Sequence, residues 1–438
     1  MRTLKDSGIE WLGKIPSEWE VRKVKNYYDI QTGFTPDTKN ELYYDDNGYD
    51  WINISDIKDG KTIFETKKKV SKHYIDLFKP KVIPQGSLLY SFKLSVGQTA
   101  YAGKDIYSNE AIASFIPNEF VNLHYLRYSS MFIIKNAQTN IYNAKILNQD
   151  LIRNAYIPFP PLSQQQQIAD FLDRKCAEID TIIEKTKATI EEYKKLKQSV
   201  ITEAVTKGIR GERPMKDSGI EWIGDIPSDW NLIQIKYLKS NDKNAFVDGP
   251  FGSNLKSIHF VEDGDVYVVE SGFITTGKFV FKKFKTITAS HFETIRRSEC
   301  KGKDVIIAKI GANFGMAAEL PELDKPSVVS GNSLKITLNQ EKILNSIFVY
   351  ELSVAKNRAG YVGLYNETAQ PALSLSALNS FKLVVAPMEE QQEIANFLDS
   401  ECAEIDKLIA DKTQLLEEME SYKKAVIYEY VTGKKEVI

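Results

Sequence analysis

Apolar residues recur at heptad spacing in two stretches of this chain. The first stripe is Ile168, Leu172, Ile179, Ile182, Ile183, Ile190, Tyr193 and Val200. Its copy, 226 residues on, is Ile394, Leu398, Ile405, Leu408, Ile409, Leu416, Met419 and Val426. Seven-residue steps run through 172, 179, 193 and 200 and through 398, 405, 419 and 426, skipping Thr186 and Lys412. No Gly or Pro interrupts the chain from Ser163 to Lys207, so the spacing predicts one helix there, with Ser163 as N-cap and Gly208 as stop. A second helix is predicted from just after Pro387 to near Gly433. About 45 residues of helix span roughly 65 Å, too long to be covered by one small domain. The two stripes are therefore expected to pack together as an antiparallel coiled coil.

The regions before these helices carry a shorter rhythm. Val82–Tyr90, Asp304–Ile310, Tyr49–Ile54 and Val266–Glu270 read as short buried strands bounded by turn residues. Leu123–Lys135 and Ile343–Asn357 read as helical patches, each followed by a short strand into a long helix. The fold class expected is α+β, with two globular heads and two long helices. The boundaries are 1–160 and 211–386 for the heads, 161–210 and 387–438 for the helices.

The frame of each half is duplicated. KDSGIEW at Lys5–Trp11 returns at Lys216–Trp222, and the match continues through Ile15-Pro16-Ser17/Ile226-Pro227-Ser228 and Trp19/Trp230. QQQIADFLDRKCAEID at Gln165–Asp180 returns as QQEIANFLDSECAEID at Gln391–Asp406. The first pair is offset by 211 residues and the second by 226, so the material between them differs in length as well as sequence. This is pseudo-twofold duplication of a whole domain rather than a short solenoid repeat.

Composition narrows the setting. The 438 residues are 42% hydrophobic and 26% charged, with a formal net charge of −2. That is ordinary for a chain with buried cores, and it lacks the overall basic signature of a nucleic-acid binder, so any such surface must be local. No apolar run is long enough for a membrane span, and the N-terminus is too polar for a secretory signal. Three cysteines (Cys176, Cys300, Cys402) without C-x-x-C spacing suit packing in a reducing cytoplasm.

Catalytic motifs are sparse. Phe159-Pro160-Pro161-Leu162 lacks the Asn/Asp and aromatic of a base-flipping methyltransferase loop. Gly60-Lys61-Thr62 lacks the first glycine of a P-loop, and Gly311–Gly315 is no dinucleotide fingerprint. His73, His124, His259 and His291 are scattered. Asp37, Glu65 and Lys67 fit a loose metal-dependent nuclease spacing, in which two carboxylates would hold Mg²⁺, but so short a pattern arises often by chance. Basic residues cluster in both heads: Lys67, Lys68, Lys69 and Lys72 with Lys93 in the first, and Lys282, Lys283, Lys285, Arg296 and Arg297 with Lys309 in the second. Tyr and Phe interleave with them, a pattern suited to phosphate and base contacts.

The ordered set of motifs resembles the specificity subunit of type I restriction–modification systems. It comprises the openings SGIEWLGKIPSEWE and SGIEWIGDIPSDWN, Gly33-Phe34-Thr35-Pro36 with Tyr43-Tyr44 and Trp51-Ile52, and Asp248–Leu255 (DGPFGSNL). It ends in the junctions Ile157–Gln165 and Ala386–Gln391, the second a weaker form (APMEEQ). The resemblance implies two target-recognition domains, each reading half of a split DNA site, with the family's conserved helices as spacer. It implies double-stranded DNA and two modification subunits as partners, to which two motor-nuclease subunits can add. Adenine methylation with S-adenosylmethionine, and ATP- and Mg-dependent cleavage, would belong to those partners, with no catalysis and no bound cofactor on this chain. The heptad stripes themselves give the packing residues expected of the helix pair: Ile168, Leu172, Ile179, Ile183, Ile190, Val200, Ile394, Leu398, Ile405, Ile409, Leu416 and Val426.

Overall fold

Two helices dominate the computed structural model: a central one, Leu162–Lys207, of 46 residues, and a C-terminal one, Met388–Val431, of 44. Residues 3–93, 95–139, 145–275, 277–310, 314–359 and 373–437 are described. The chain divides into two compact units, Met1–Thr186 with Gln414–Ile438, and Lys187–Thr413. Each unit therefore holds one head, the first part of the long helix that follows it, and the last part of the other long helix. The units cut through both helices, where the sequence suggested boundaries at their ends.

Within each unit the two helical segments run antiparallel. In the first, Phe171 packs on Tyr430 with ring centroids 4.3 Å apart, and further along Lys423 Nζ meets Asp180 Oδ1 at 2.6 Å. In the second, Lys197 Nζ meets Asp406 Oδ1 at 2.6 Å, and Arg210 meets Glu393 at 2.7 Å. Partner numbers fall as residue numbers rise in both. Asp180 and Asp406, like Lys197 and Lys423, are the same position in the two copies, so one ion pair occurs twice.

Leu172, Cys176, Ile179, Ile183, Thr186 and Ile190 are buried, an alternation of four- and three-residue steps. The stripe thus passes through Thr186, where a polar residue hides the heptad in the sequence; its hydroxyl donates to the Ile182 carbonyl at 2.8 Å and is satisfied. Ile168, Ile394, Leu398, Cys402, Ile405 and Val426 are also buried, whereas Val200, Ile409, Lys412 and Leu416 are half-buried. Ile182 and Leu408, included in the apolar stripe, are exposed at 45% and 37%, because they lie one position off the seam.

The heads share one scaffold despite their unlike sequences. The first has a five-stranded sheet in the order Ile30–Thr32, Ile112–Phe115, Leu88–Ser91, Thr99–Ala102, Lys61–Ile63. The second has the matching order Phe246–Asp248, Ser333–Ile336, Val305–Ala308, Ala317–Glu319. A further sheet in each head contains one parallel pair, Tyr107↔Trp51 in the first and Tyr267↔Ser327 in the second. Leu88–Ser91 and Val305–Ala308 are buried along their whole length, so neither shows the two-residue alternation of a half-exposed strand. Upstream of Leu88, Pro84 and Gly86 (φ +82°) turn the chain, and Ile83 makes only an isolated bridge to Ile106. The strand is accordingly shorter than the Val82–Tyr90 pattern suggests.

Entry into each long helix is a buried polar lock. The Pro161 carbonyl accepts from the Gln164 and Gln165 amides, so the helix begins at Leu162 and Ser163 lies inside it rather than capping it. The fully buried Gln165 side chain donates to the Pro160 carbonyl (2.9 Å) and accepts from the Asn122 amide (3.1 Å). Gln391 repeats this, donating to the Ala386 carbonyl (2.8 Å) and accepting from the Leu344 amide (3.0 Å). Beside them, Trp19 Nε1 donates to Gln164 (2.7 Å) and Trp230 Nε1 to Glu390 (2.9 Å). The glycines that end the helices adopt left-handed φ, +80° at Gly208 and +68° at Gly433. A Cβ there would lie 3.2 Å from Trp230 and 3.1 Å from Trp19, respectively. Gly208 thus packs as well as ending its helix.

A carboxyl group is also buried among the apolar core residues of the second unit. Glu351, on the helix Asn345–Ala359, is fully buried, and among the described residues both carboxyl oxygens lack a hydrogen-bond partner of normal geometry. Desolvation holds its pKa well above the ordinary 4.5, outweighing the opposing effect of the Val384 backbone. The folded state therefore keeps this proton to higher pH than the unfolded chain does. Stability from this group is complete below about pH 4.5 and declines as pH rises toward the folded pKa. Glu351→Gln should raise the denaturation midpoint, more at pH 8 than at pH 5, in paired urea titrations. Gln165→Ala and Gln391→Ala should each destabilise by about 1–3 kcal/mol per backbone group left unpaired. The exposed Gln167→Ala should stay within about 0.5 kcal/mol in the same assay.

Candidate nucleic-acid interface

At the end of the first strand of each main sheet lies a glycine with no room for a side chain. A Cβ on Gly33 would sit 1.7 Å from the Ser108 carbonyl oxygen, and one on Gly249 1.9 Å from that of Ser330. Each glycine lets a motif loop lie flat against a turn of the neighbouring strand. In the first head, the Phe34 amide donates to the Ser108 carbonyl (2.8 Å), and Trp51 Nε1 donates to the Phe34 carbonyl (2.9 Å). Phe34 stacks on Tyr74 at 5.1 Å and meets Tyr107 edge-on at 5.8 Å. Thr35 donates to Glu110, which Lys93 approaches at 3.4 Å. The Thr35 hydrogen bond, with help from Lys93 and against partial burial, holds the Glu110 carboxyl below its usual range.

The first basic run is tied to this loop through Trp51, whose amide donates to the Lys68 carbonyl at 3.2 Å. Lys67 and Lys68 are exposed, Lys69 is half-buried, and the helix Lys72–Phe78 follows, capped by Ser71. Lys72 itself pairs with Asp76 at 2.6 Å.

The second head repeats the plan with different side chains. Lys285–Ile287 leads into the helix Ala289–Ile295, capped by Thr288. After it, Arg297 and Lys309 converge on Asp248, the residue before Gly249; Lys309 Nζ is 3.5 Å from Asp248 Oδ2. Arg296 turns away to Glu293 at 2.9 Å. Lys282, Lys283 and Lys285 line an open cavity of about 680 Å³ together with Phe260, Tyr267 and Lys325. Tyr267 stacks on Phe284 at 4.4 Å, and Lys285 lies over the Phe260 ring at 5.1 Å. With Lys325 over the Tyr267 ring at 5.5 Å, two cationic side chains over aromatic faces make a groove suited to a phosphate backbone and exposed bases.

Several residues here escape sequence reasoning. Lys325 is remote from the basic run, and Asp248 anchors two of the cations. Phe251, in the DGPFGSNL loop, is 68% exposed, an apolar tip free to meet a base edge or thymine methyl. His259 and His291, 32 positions apart, stack at 4.0 Å. His291 Nε2 lies 2.9 Å from the Asn254 carbonyl and must donate to it, and His259 Nδ1 accepts from the Lys256 amide at 3.0 Å. Desolvation, then His291 and Lys256, push the His259 pKa down. The two stacked rings clamp the loop between them.

Of the three residues with nuclease spacing, Asp37 accepts from the Lys39 amide in a local turn, while Glu65 and Lys67 are exposed on the loop before Lys69–Val70. Among the described residues no group of three His, Cys, Asp or Glu is placed to hold a metal ion. All three cysteines are buried and unpaired. Gly311, Ala312 and Asn313 lie outside the described residues. Among the described residues no helix is long and apolar enough to cross a membrane.

Known proteins share this plan. The chain is 24% identical over 434 residues to the type I restriction enzyme MjaVIII specificity subunit of Methanocaldococcus jannaschii, covering 96% of this chain and 94% of that one. It is 21% identical to the StySPI specificity subunit of Salmonella potsdam, covering 96% and 90%. Among solved structures, a chain from work on complex assembly and conformational transition of the type I R-M system matches with a TM-score of 0.73 at 14% identity, covering 96% of this chain and 99% of that one. The HsdS subunit from Thermoanaerobacter tengcongensis matches at 0.50 and 15% identity, covering 96% and 98%. The family described as type I restriction modification DNA specificity domain matches residues 16–192 and again 229–418. With two copies of that domain, each opening on a head and running into a long helix, the chain belongs to the type I restriction–modification DNA specificity family.

Proposed function

We propose that this chain reads a bipartite, asymmetric DNA site, one half with each head, and carries no catalysis of its own. The observation that supports this most directly is one scaffold bearing two different loop sets, Gly33–Pro36 with Lys93 in the first head and Asp248–Leu255 with Arg297 and Lys309 in the second. An identical pair of heads would impose a palindrome; unlike heads on one chain read unlike half-sites. The basic runs serve phosphate contact and the loop tips serve the grooves. A net charge of −2 is compatible with this if partner subunits share the phosphate contacts.

The duplicated frame gives two equivalent docking places, suited to two copies of a modification subunit that methylates adenine with S-adenosylmethionine. Motor-nuclease subunits using ATP and Mg²⁺ would join that assembly, in the cytoplasm. The helix pair acts as a ruler: each residue adds about 1.5 Å, against about 3.4 Å per base pair.

Exchanging residues 20–155 for the matching region of another family member should change one half-site in a host methylome and leave the other intact. A change in both halves would refute independent reading. Removing one heptad from both long helices shortens the ruler by about 10 Å, and the methylome should then show a gap shorter by about 3 base pairs.

A further inference from the structure

The duplication exposes one place where the two units differ in a way that leaves a cavity. In the first unit, Tyr128 donates to Asp173 Oδ1 at 2.6 Å; in the second, Tyr350 donates to Asp399 Oδ1 at 3.1 Å. These are the same tyrosine–carboxylate pair in the two copies. In the first unit two nitrogen-bearing side chains, Arg127 and His124, cover it. Arg127 Nη1 lies 3.3 Å from Asp173 Oδ1 and Nη2 3.5 Å from Asp59, and His124 Nδ1 lies 3.5 Å from Asp173 Oδ2. Arg127 fills the space fully: a Cβ on Gly60, in the facing turn, would lie 2.2 Å from the guanidinium.

In the second unit the matching positions are Ser346 and Val349, and the facing turn glycine is Gly277. A Cβ on Gly277 would meet only Val349 Cγ1, at 3.5 Å. The shorter side chains at these two positions leave a cavity of about 240 Å³ lined by Ser346, Val349, Tyr350, Ser353, Asp399 and Glu319, among others. Two lysines also border it, Lys197 and Lys278, but both are bound to Asp406, at 2.6 and 3.0 Å. Glu319 accepts from Asn345 at 2.8 Å. Among the described residues no cation pairs with Asp399.

We propose that this cavity is a binding site for a guanidinium cation, occupying the place that the first unit fills with its own Arg127. A flat guanidinium offers in-plane N–H donors that match a carboxylate edge and the flanking Ser346 and Ser353 hydroxyls. The cavity is smaller than the roughly 300–1,000 Å³ of sites for drug-sized ligands, which suits a group of a few heavy atoms. The guanidinium can come from a free small molecule or from an arginine side chain of a docking protein.

The test is ligand-observed saturation-transfer NMR of methylguanidinium on the full chain, with methylammonium as control. Saturable binding in about the millimolar range is expected for so small a ligand. Asp399→Asn should weaken it at least about tenfold. Val349→Arg should abolish it, because the new side chain takes the site, and should raise the melting midpoint by about 2–4 °C. Absence of saturable binding in the unaltered chain, equal binding of methylammonium, or undiminished binding in Val349→Arg would overturn the proposal. If Val349→Arg fails to fold, Asp399→Asn decides: unchanged affinity there refutes the site. Displacement of the probe by added modification subunit would assign the guanidinium to a protein arginine; binding that persists would assign it to a free compound.

Discussion

Each unit depends on how the chain enters its long helix. A helix N-terminus leaves amides unpaired, and a junction buried against a head would strand carbonyls and amides in a low-dielectric core. Gln165 and Gln391 resolve this with one side chain each, whose amide both donates and accepts. The adjacent indoles of Trp19 and Trp230 are sealed by Gln164 and Glu390, and the terminal glycine of the other long helix closes over each. In the first unit Tyr125 adds a further tie, donating to the carbonyls of Pro158 (3.0 Å) and Val431 (3.2 Å). Head, helix start and helix end are thereby fastened at one buried point within the unit.

That division explains which parts of the chain are free to vary. The duplicated segments hold the lock and the seam, where a lost hydrogen bond or a displaced methyl group leaves a buried defect. The motif loops and basic runs lie on exposed strand ends and on short capped helices. There Arg297 and Lys309 meet Asp248 in one head and Lys93 meets Glu110 in the other, above sheets of the same plan. The main sheets keep the same strand order although their sequences share little, because what they require is unbroken apolar strands and a glycine at one crowded end.

The paired sites around Asp173 and Asp399 show the same principle inside the fold. The carboxylate and its tyrosine are retained in both copies, while the side chains over them differ: His124 and Arg127 in one, Ser346 and Val349 in the other. A duplicated scaffold can therefore hold a filled site and an open one at equivalent places, with the difference set by two side chains.

The sequence by itself determined the duplication, the two long helices, the α+β heads and the family, because these rest on local periodicity and on repeated strings that need no folding to be seen. It also located the basic runs. Tertiary structure alone decided that the seam continues through Thr186, that the helix begins before Ser163, and that Asp248 gathers Arg297 and Lys309. It also decided that Lys325 joins the Lys282–Lys285 groove, that His259 meets His291, and that Glu351 lies buried in a core. Each of these depends on contacts between residues distant in the chain, and burial, hydrogen bonding and ionisation are properties of such contacts rather than of the residues taken in order.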